Sequence, residues 1–211
     1  HNLYKVGIKA NAMLKRVPWL KHYLIRQQFR IERQLINQTH ATDCLQPSIL
    51  HFSVNRAATQ SVKSILHTCA AENSLTNVRL HDYAFHSDLP YLNTLSSDKI
   101  RNYHYLFHPQ GYVYSVFGGM IEAIPNLDQY RTILMVRDPR DILVSGYYAV
   151  AYSHSLPHQS DKKRQFLQLR EQTRDKGIDY YVREHCEALQ QTFQRYQQLL
   201  IVPHPTTYIT R

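Results

Sequence analysis

The chain has 211 residues, 43% hydrophobic and 19% charged, a composition that excludes a disordered chain and suits one α/β domain with a full core. Lys and Arg total 25 against 16 Asp and Glu, and the formal net charge of +9 favours polyanions, anionic membranes, or phosphorylated and sulfated small molecules as partners. The three cysteines, Cys44, Cys69 and Cys186, are too few and too scattered for a disulfide framework, and no apolar run approaches the roughly 18 residues of a membrane-spanning helix. A cytoplasmic chain is the expectation.

The first third contains MLKRVPWLKHYLIRQQFRIERQL, in which Leu20, Leu24, Phe29 and Ile31 alternate with basic residues at helical spacing. Such a helix can lie on an anionic membrane or hold a partner, but more often it packs on its own domain with its charges in water. Pro18 marks its start. Residues 1–45 are therefore read as a basic helical extension and 46–211 as an α/β domain. From Gln46 onward strand and helix signals alternate: a strand over 48–54, a helix over about 57–72, and a second strand over 76–82. Residues 91–110 are partly helical, and 111–119 are a short strand or loop. The branched apolar run Thr132–Val136 has the character of a strand buried on both faces. A Gln-rich helical stretch follows from about Asp161 to Leu200, then a last strand, TTYITR. Strands separated by helices imply a central parallel sheet of about four or five strands flanked by helices.

The segment after Thr132–Val136 reads RDPRDILVSGYY. Asp138 is a good N-cap, Pro139 occupies the first helical position, and Asp141 falls in the acidic first turn. Arg137 is left at the carboxyl end of a strand, just before a helix N-terminus. Free backbone N–H groups and the helix dipole favour an anion there, so this is a candidate phosphate site. The first strand also ends in a basic turn, NRAATQS, which places Arg56, two alanines, Thr59 and Ser61 before a helix. Small residues admit a phosphate to the backbone, and the hydroxyls can bond its oxygens. The turn is not GxxxxGK[ST], so an ATP- and magnesium-using phosphoryl transferase is poorly supported.

A basic small-residue loop after the first strand, followed about eighty residues later by strand-RDPRDILVS-helix, resembles the sulfotransferases that use 3′-phosphoadenosine 5′-phosphosulfate (PAPS). That family carries a loop of the form PKSGTTW for the 5′-phosphosulfate and a strand followed by R-x-P-x-D-x-x-x-S for the 3′-phosphate. Arg137, Pro139, Asp141 and Ser145 match the second motif, whereas Arg56, Ala57, Ala58, Thr59, Gln60 and Ser61 match the first only loosely. The resemblance covers about residues 47–152 and the final strand, and it implies a sheet of the P-loop NTPase type. It implies that Arg56 contacts the bridging and 5′-phosphate oxygens, that the N–H groups of Ala57 to Ser61 with the Thr59 and Ser61 hydroxyls hold the 5′-phosphate, and that Arg137 and Ser145 hold the 3′-phosphate. Asp141 stabilises the helix start. Where the family loop often ends in Trp, a platform for adenine, this chain has Ser61, and the platform is unassigned. Members of the family usually continue past the last strand with further cofactor contacts.

The acceptor needs a base. Many members carry Lys-Thr-His after the second strand, and Arg79-Leu80-His81 keeps the basic residue and the histidine at that spacing. His81 is the preferred base and Arg79 a second sulfuryl-stabilising cation, with His86, Asp82 and Glu122 as alternative bases. No metal is expected: His81 with Asp82 and His86, or His104 with His108, lack Cys partners and any HExxH pattern. The resemblance thus implies transfer from PAPS to a hydroxyl or amine of a small-molecule or carbohydrate acceptor, leaving adenosine 3′,5′-bisphosphate. Rival readings are a kinase-like phosphoryl transferase and a non-catalytic polyanion- or nucleotide-binding module, although no nucleic-acid motif is present.

Overall fold

The computed structural model describes residues 18–54, 56–154, 156, 160–201 and 207–210, the side chains of 18–22, 160–162, 198–201 and 207–210 excepted. Helices α1 (Pro18–Gln28) and α2 (Arg30–Ile36) precede the alternating part of the chain. Strand β1 (Ile49–Ser53), helix α3 (Thr59–Glu72), strand β2 (Thr76–Val78) and the short helix α4 (Leu80–Ala84) follow. A stretch with 3₁₀ turns and the four-residue helix α5 (Ser97–Ile100) leads to β3 (Tyr112–Phe117) and β4 (Arg131–Met135). Helix α6 (Pro139–Tyr148) runs into a π turn at Ala149–Ser153, and α7 (Ser160–Ile201) precedes β5 (Thr207–Thr210). Helix α7 is two helices joined at Gly177, whose φ of 77° is open to glycine and costly for other residues.

The described strands form one parallel sheet in the order β2-β3-β1-β4-β5. Its core follows the two-residue period of a strand. Ile49, Val113 and Ile133 face Leu66 and Ala70 of α3, whereas Leu50, Phe52, Tyr114 and Leu134 belong to the larger cluster on the other face. Every residue of β3 is buried, as a strand covered on both faces requires. The stretch 111–119 thus holds an interior strand, Tyr112–Phe117, with its flanking residues outside the sheet.

The second strand is shorter than its sequence indicates. Residues 76–78 pair with β3, but the chain then turns into α4 at Leu80. Helix α2 is packed on the domain: Leu35 joins the main core, and the buried Glu32 carboxylate accepts the Arg79 N–H at 2.7 Å. Burial raises the Glu32 carboxyl above its usual value, opposed by its own backbone N–H, that of Arg79 and the Arg79 charge.

His51 lies fully buried in the central strand, with Nδ1 3.0 Å from Ser115 Oγ and no partner for Nε2 among the described residues. Burial, reinforced by Lys63, pushes its imidazole down to about 4 from 6.5. Between these values the unfolded chain binds a proton that the folded chain excludes, so this residue's contribution to stability is full above 6.5 and is lost as pH falls towards 4. We expect the midpoint of thermal unfolding to drop across that window and the slope to flatten in His51→Gln; equal slopes in the two proteins would rule out His51 as the source.

Candidate nucleotide and acceptor site

The sheet order determines where a ligand can enter. From β1 the chain crosses through α3 to the β2 edge, and from β4 it passes through α6 and α7 to the β5 edge. The two neighbouring strands therefore send their helices in opposite directions, which opens a crevice beyond their carboxyl ends. Parallel pairing carries Ser53 alongside Met135, and the Val54 N–H donates to the Met135 carbonyl at 3.0 Å. Both sequence motifs begin at this point.

In the first, Arg56 and Ala58 adopt positive φ of 71° and 55°, an uncommon backbone for residues with a Cβ. This curls the chain tightly into α3. The Ala57 N–H donates to Val54 and the Ser61 N–H to Ala58, so two of the five loop N–H groups expected to meet a phosphate already have partners. Thr59 Oγ1 lies 2.6 Å from Ser53 Oγ, which ties the first turn of α3 to β1. In the second, the Asp138 carboxylate accepts from the Arg140 N–H at 2.8 Å, with Pro139 at the first helical position. Arg140 also bonds the Asp138 carboxylate through its guanidinium and holds that carboxyl low, at about 2.

Arg137 joins the two motifs. Its guanidinium donates to the Arg56 carbonyl at 3.2 Å, and its Nε lies 3.3 Å from Asp141. Asp141 thus orients Arg137, a role beyond the helix start. Arg137 borders the crevice without lining it, whereas Ser145, two turns along α6, lines it directly.

The crevice is a cavity of about 980 Å³. Ser53, Val54 and the loop residues Arg56, Ala58 and Thr59 to Ser61 form one side, and α6 adds Ile142, Ser145 and Gly146. His81, Asp82, Asn93 and the glycines 118 and 119 form another side. A third comes from the second half of α7, through Tyr181, His185, Leu189, Thr192 and Arg195. No short motif in the sequence pointed to this helix. Its anchor is Tyr196, 2% exposed, whose hydroxyl donates to the Ser53 carbonyl at 3.3 Å. A large aromatic residue in a Gln-rich stretch was the available signal.

The candidate bases separate. His81 lines the cavity, with its ring 4.9 Å from that of Tyr91. Burial lowers its imidazole, the neighbouring Asp82 opposes this, and Lys63 adds to it. Asp82 also lines the cavity but is ion-paired with Lys63 of α3. His86 is exposed beside Phe29, away from the cavity, and Glu122 accepts from Ser97 Oγ at 3.0 Å without lining it. The structure does not bring Arg79 to the cavity. Its guanidinium bonds the Gln28 carbonyl, sits 3.8 Å from Glu32 and lies over the Phe29 ring. His104 and His108 do not share a helical face: His104 bonds the Ala123 carbonyl, and His108, beyond the 3₁₀ turn, stacks on Tyr112.

Cations outnumber free carboxylates in this cavity. Arg56 and Arg195 have no carboxylate partner among the described residues, and Asp82, the one carboxylate in the lining, is neutralised by Lys63. Together with the helix N-terminus of α3, these charges make the cavity electrostatically favourable to an anion. Among the described residues, no helix is long and apolar enough to cross a membrane.

Searches of curated proteins and of solved structures found no significant match. The family described as "Sulfotransferase domain" matches residues 8–202, nearly the whole chain. With both motifs meeting at one cation-lined crevice, and that match running across them, the chain belongs to the sulfotransferase domain family.

Proposed function

We propose that the chain transfers a sulfuryl group from PAPS to a hydroxyl or amine of a small-molecule or carbohydrate acceptor, leaving adenosine 3′,5′-bisphosphate. The observation that carries this reading is the meeting of the two motifs at the switch of the sheet, with Arg137 donating to the Arg56 carbonyl. The cavity's unpaired cations and its volume of about 980 Å³ fit a nucleotide with two separate anionic groups. Arg56 and the N–H groups of Ala58, Thr59 and Gln60, with the Thr59 and Ser61 side chains, would hold the 5′ group. Arg137 and Ser145 would hold the 3′-phosphate, the group that distinguishes this donor from ATP.

The donor supplies the activated sulfuryl group. His81 takes the proton of the acceptor as the new oxygen–sulfur or nitrogen–sulfur bond forms. Arg56 provides positive charge for the oxygen that keeps the electron pair of the broken bond. Charge grows there during transfer, so the interaction strengthens in the transition state and lowers the barrier. An arginine in place of the usual lysine offers two donors to that group. Arg79 has no part in the scheme, because its guanidinium is engaged with Gln28, Glu32 and Phe29.

Thermal-shift measurements test the donor. Adenosine 3′,5′-bisphosphate should stabilise the protein more than ATP or AMP does; a preference for ATP would favour the kinase-like reading. Arg137→Ala should weaken bisphosphate binding by roughly ten- to a hundredfold, the scale of a lost hydrogen bond to a charged group. Arg79→Ala should leave it unchanged.

His81→Ala should abolish turnover while nucleotide affinity stays close to that of the parent, and full activity in this variant would remove His81 from the role of base. Because burial lowers the His81 imidazole, its neutral, proton-accepting form persists below the ordinary value of 6.5. The acid limb of kcat/KM should accordingly lie below that value, and a limb above it would point to another group.

A further inference from the structure

Tyr181 occupies a position that the two phosphate motifs do not explain. It stands on the second half of α7, yet its hydroxyl reaches α6 beside Gly146: a Cβ at that glycine would lie only 2.8 Å from Tyr181 Oη. Gly146 directly follows Ser145, so any larger residue there would push the phenol out of the seam between the two helices. The ring is also held in place. It stacks on His185 one turn along α7, with centroids 4.0 Å apart and planes 16° from parallel, and meets Tyr147 edge-on at 5.9 Å. A rigid ring loses little freedom when its polar end binds a ligand. That polar end is free: Tyr181 lines the cavity, and among the described residues its hydroxyl has no hydrogen-bond partner. The site also contains Arg56, whose charge acts on the phenol. Burial raises the Tyr181 hydroxyl above its ordinary value and Arg56 opposes the rise, so the group remains a neutral donor at neutral pH.

A donor beside Gly146, in the same cavity as Arg56 and under the influence of its charge, with no acceptor among the described residues, suits an anionic oxygen of the ligand. We infer that Tyr181 is a further binding residue of the donor site, its hydroxyl donating to the 5′-phosphate of the nucleotide alongside Arg56. This rests on the PAPS reading above. It makes α7 part of the donor grip, and it gives Gly146 a reason to be glycine inside a helix, where alanine is intrinsically favoured. A neutral donor adds directionality at the 5′ group without adding to the positive charge that Arg56 already supplies.

Titration calorimetry on the full chain tests the assignment, comparing the parent, Tyr181→Phe and Arg137→Ala with three nucleotides. Tyr181→Phe keeps the ring and its stack, so its melting temperature should match the parent's. Its affinity for adenosine 3′,5′-bisphosphate and for AMP should fall roughly tenfold, the scale of one hydrogen bond to a charged group, while that for adenosine 3′-monophosphate stays unchanged. Unchanged bisphosphate affinity in Tyr181→Phe, alongside a loss in Arg137→Ala, would overturn the role of Tyr181 and leave the donor reading standing. Equal losses for the 3′-monophosphate and AMP would overturn the 5′ assignment. If Arg137→Ala binds the bisphosphate as the parent does, the donor reading falls, and the inference falls with it.

Discussion

The pairing of β1 with β4 is the constraint on which the site depends. Because these two strands are parallel and adjacent, and their crossovers leave in opposite directions, two strand-to-helix turns emerge side by side at one sheet edge. Each turn brings a helix N-terminus and an arginine. Neither α3 nor α6 could reach the same ligand if another strand separated their parent strands, since neighbouring strands lie about 4.8 Å apart and each insertion adds that spacing. The hydrogen bond from Arg137 to the Arg56 carbonyl closes the gap between the turns, and Asp141 keeps the guanidinium in place.

The electrostatics follow from this geometry. Concentrating helix N-termini and arginines in a crevice is unfavourable unless an anion compensates them. Carboxylates near the crevice do not perform that function. Asp141 orients Arg137, Asp138 caps α6, and Asp82 is joined to Lys63. Each of these acidic groups already has a partner, while Arg56 and Arg195 line the cavity with no carboxylate partner among the described residues. The Lys63–Asp82 ion pair holds α4 to α3, so the helix carrying His81 is attached to the helix that begins after the Arg56 turn.

Arg79 and His81, two residues apart in the sequence, are parted by the structure. In an extended strand, residues two apart share a face, and both side chains would point at the same ligand. The chain instead leaves the strand after Val78: Arg79 takes the non-helical N-cap position of α4 and His81 falls in its first turn, so the two side chains no longer share a strand face. His81 meets the cavity, and Arg79 meets Phe29 and Glu32 of the N-terminal helices. Sequence spacing alone does not distinguish these outcomes; the length of β2 does, and it is limited by its pairing with only three residues of β3.

What the sequence determined by itself is local. Alternating strand and helix signals were enough for a parallel α/β sheet, Asp138 and Pro139 for the start of α6, and the strand-RDPRDILVS-helix pattern for a second strand-to-helix turn with an arginine at its head, because each depends on neighbours a few residues apart. Tertiary structure alone decided which residues complete the site. Tyr181, His185 and Arg195 reach it because Tyr196 anchors α7 against the end of β1, across 143 residues of chain. No short-range pattern in a Gln-rich helix encodes that contact, since it arises only when the sheet has formed and left a crevice for the helix to cover.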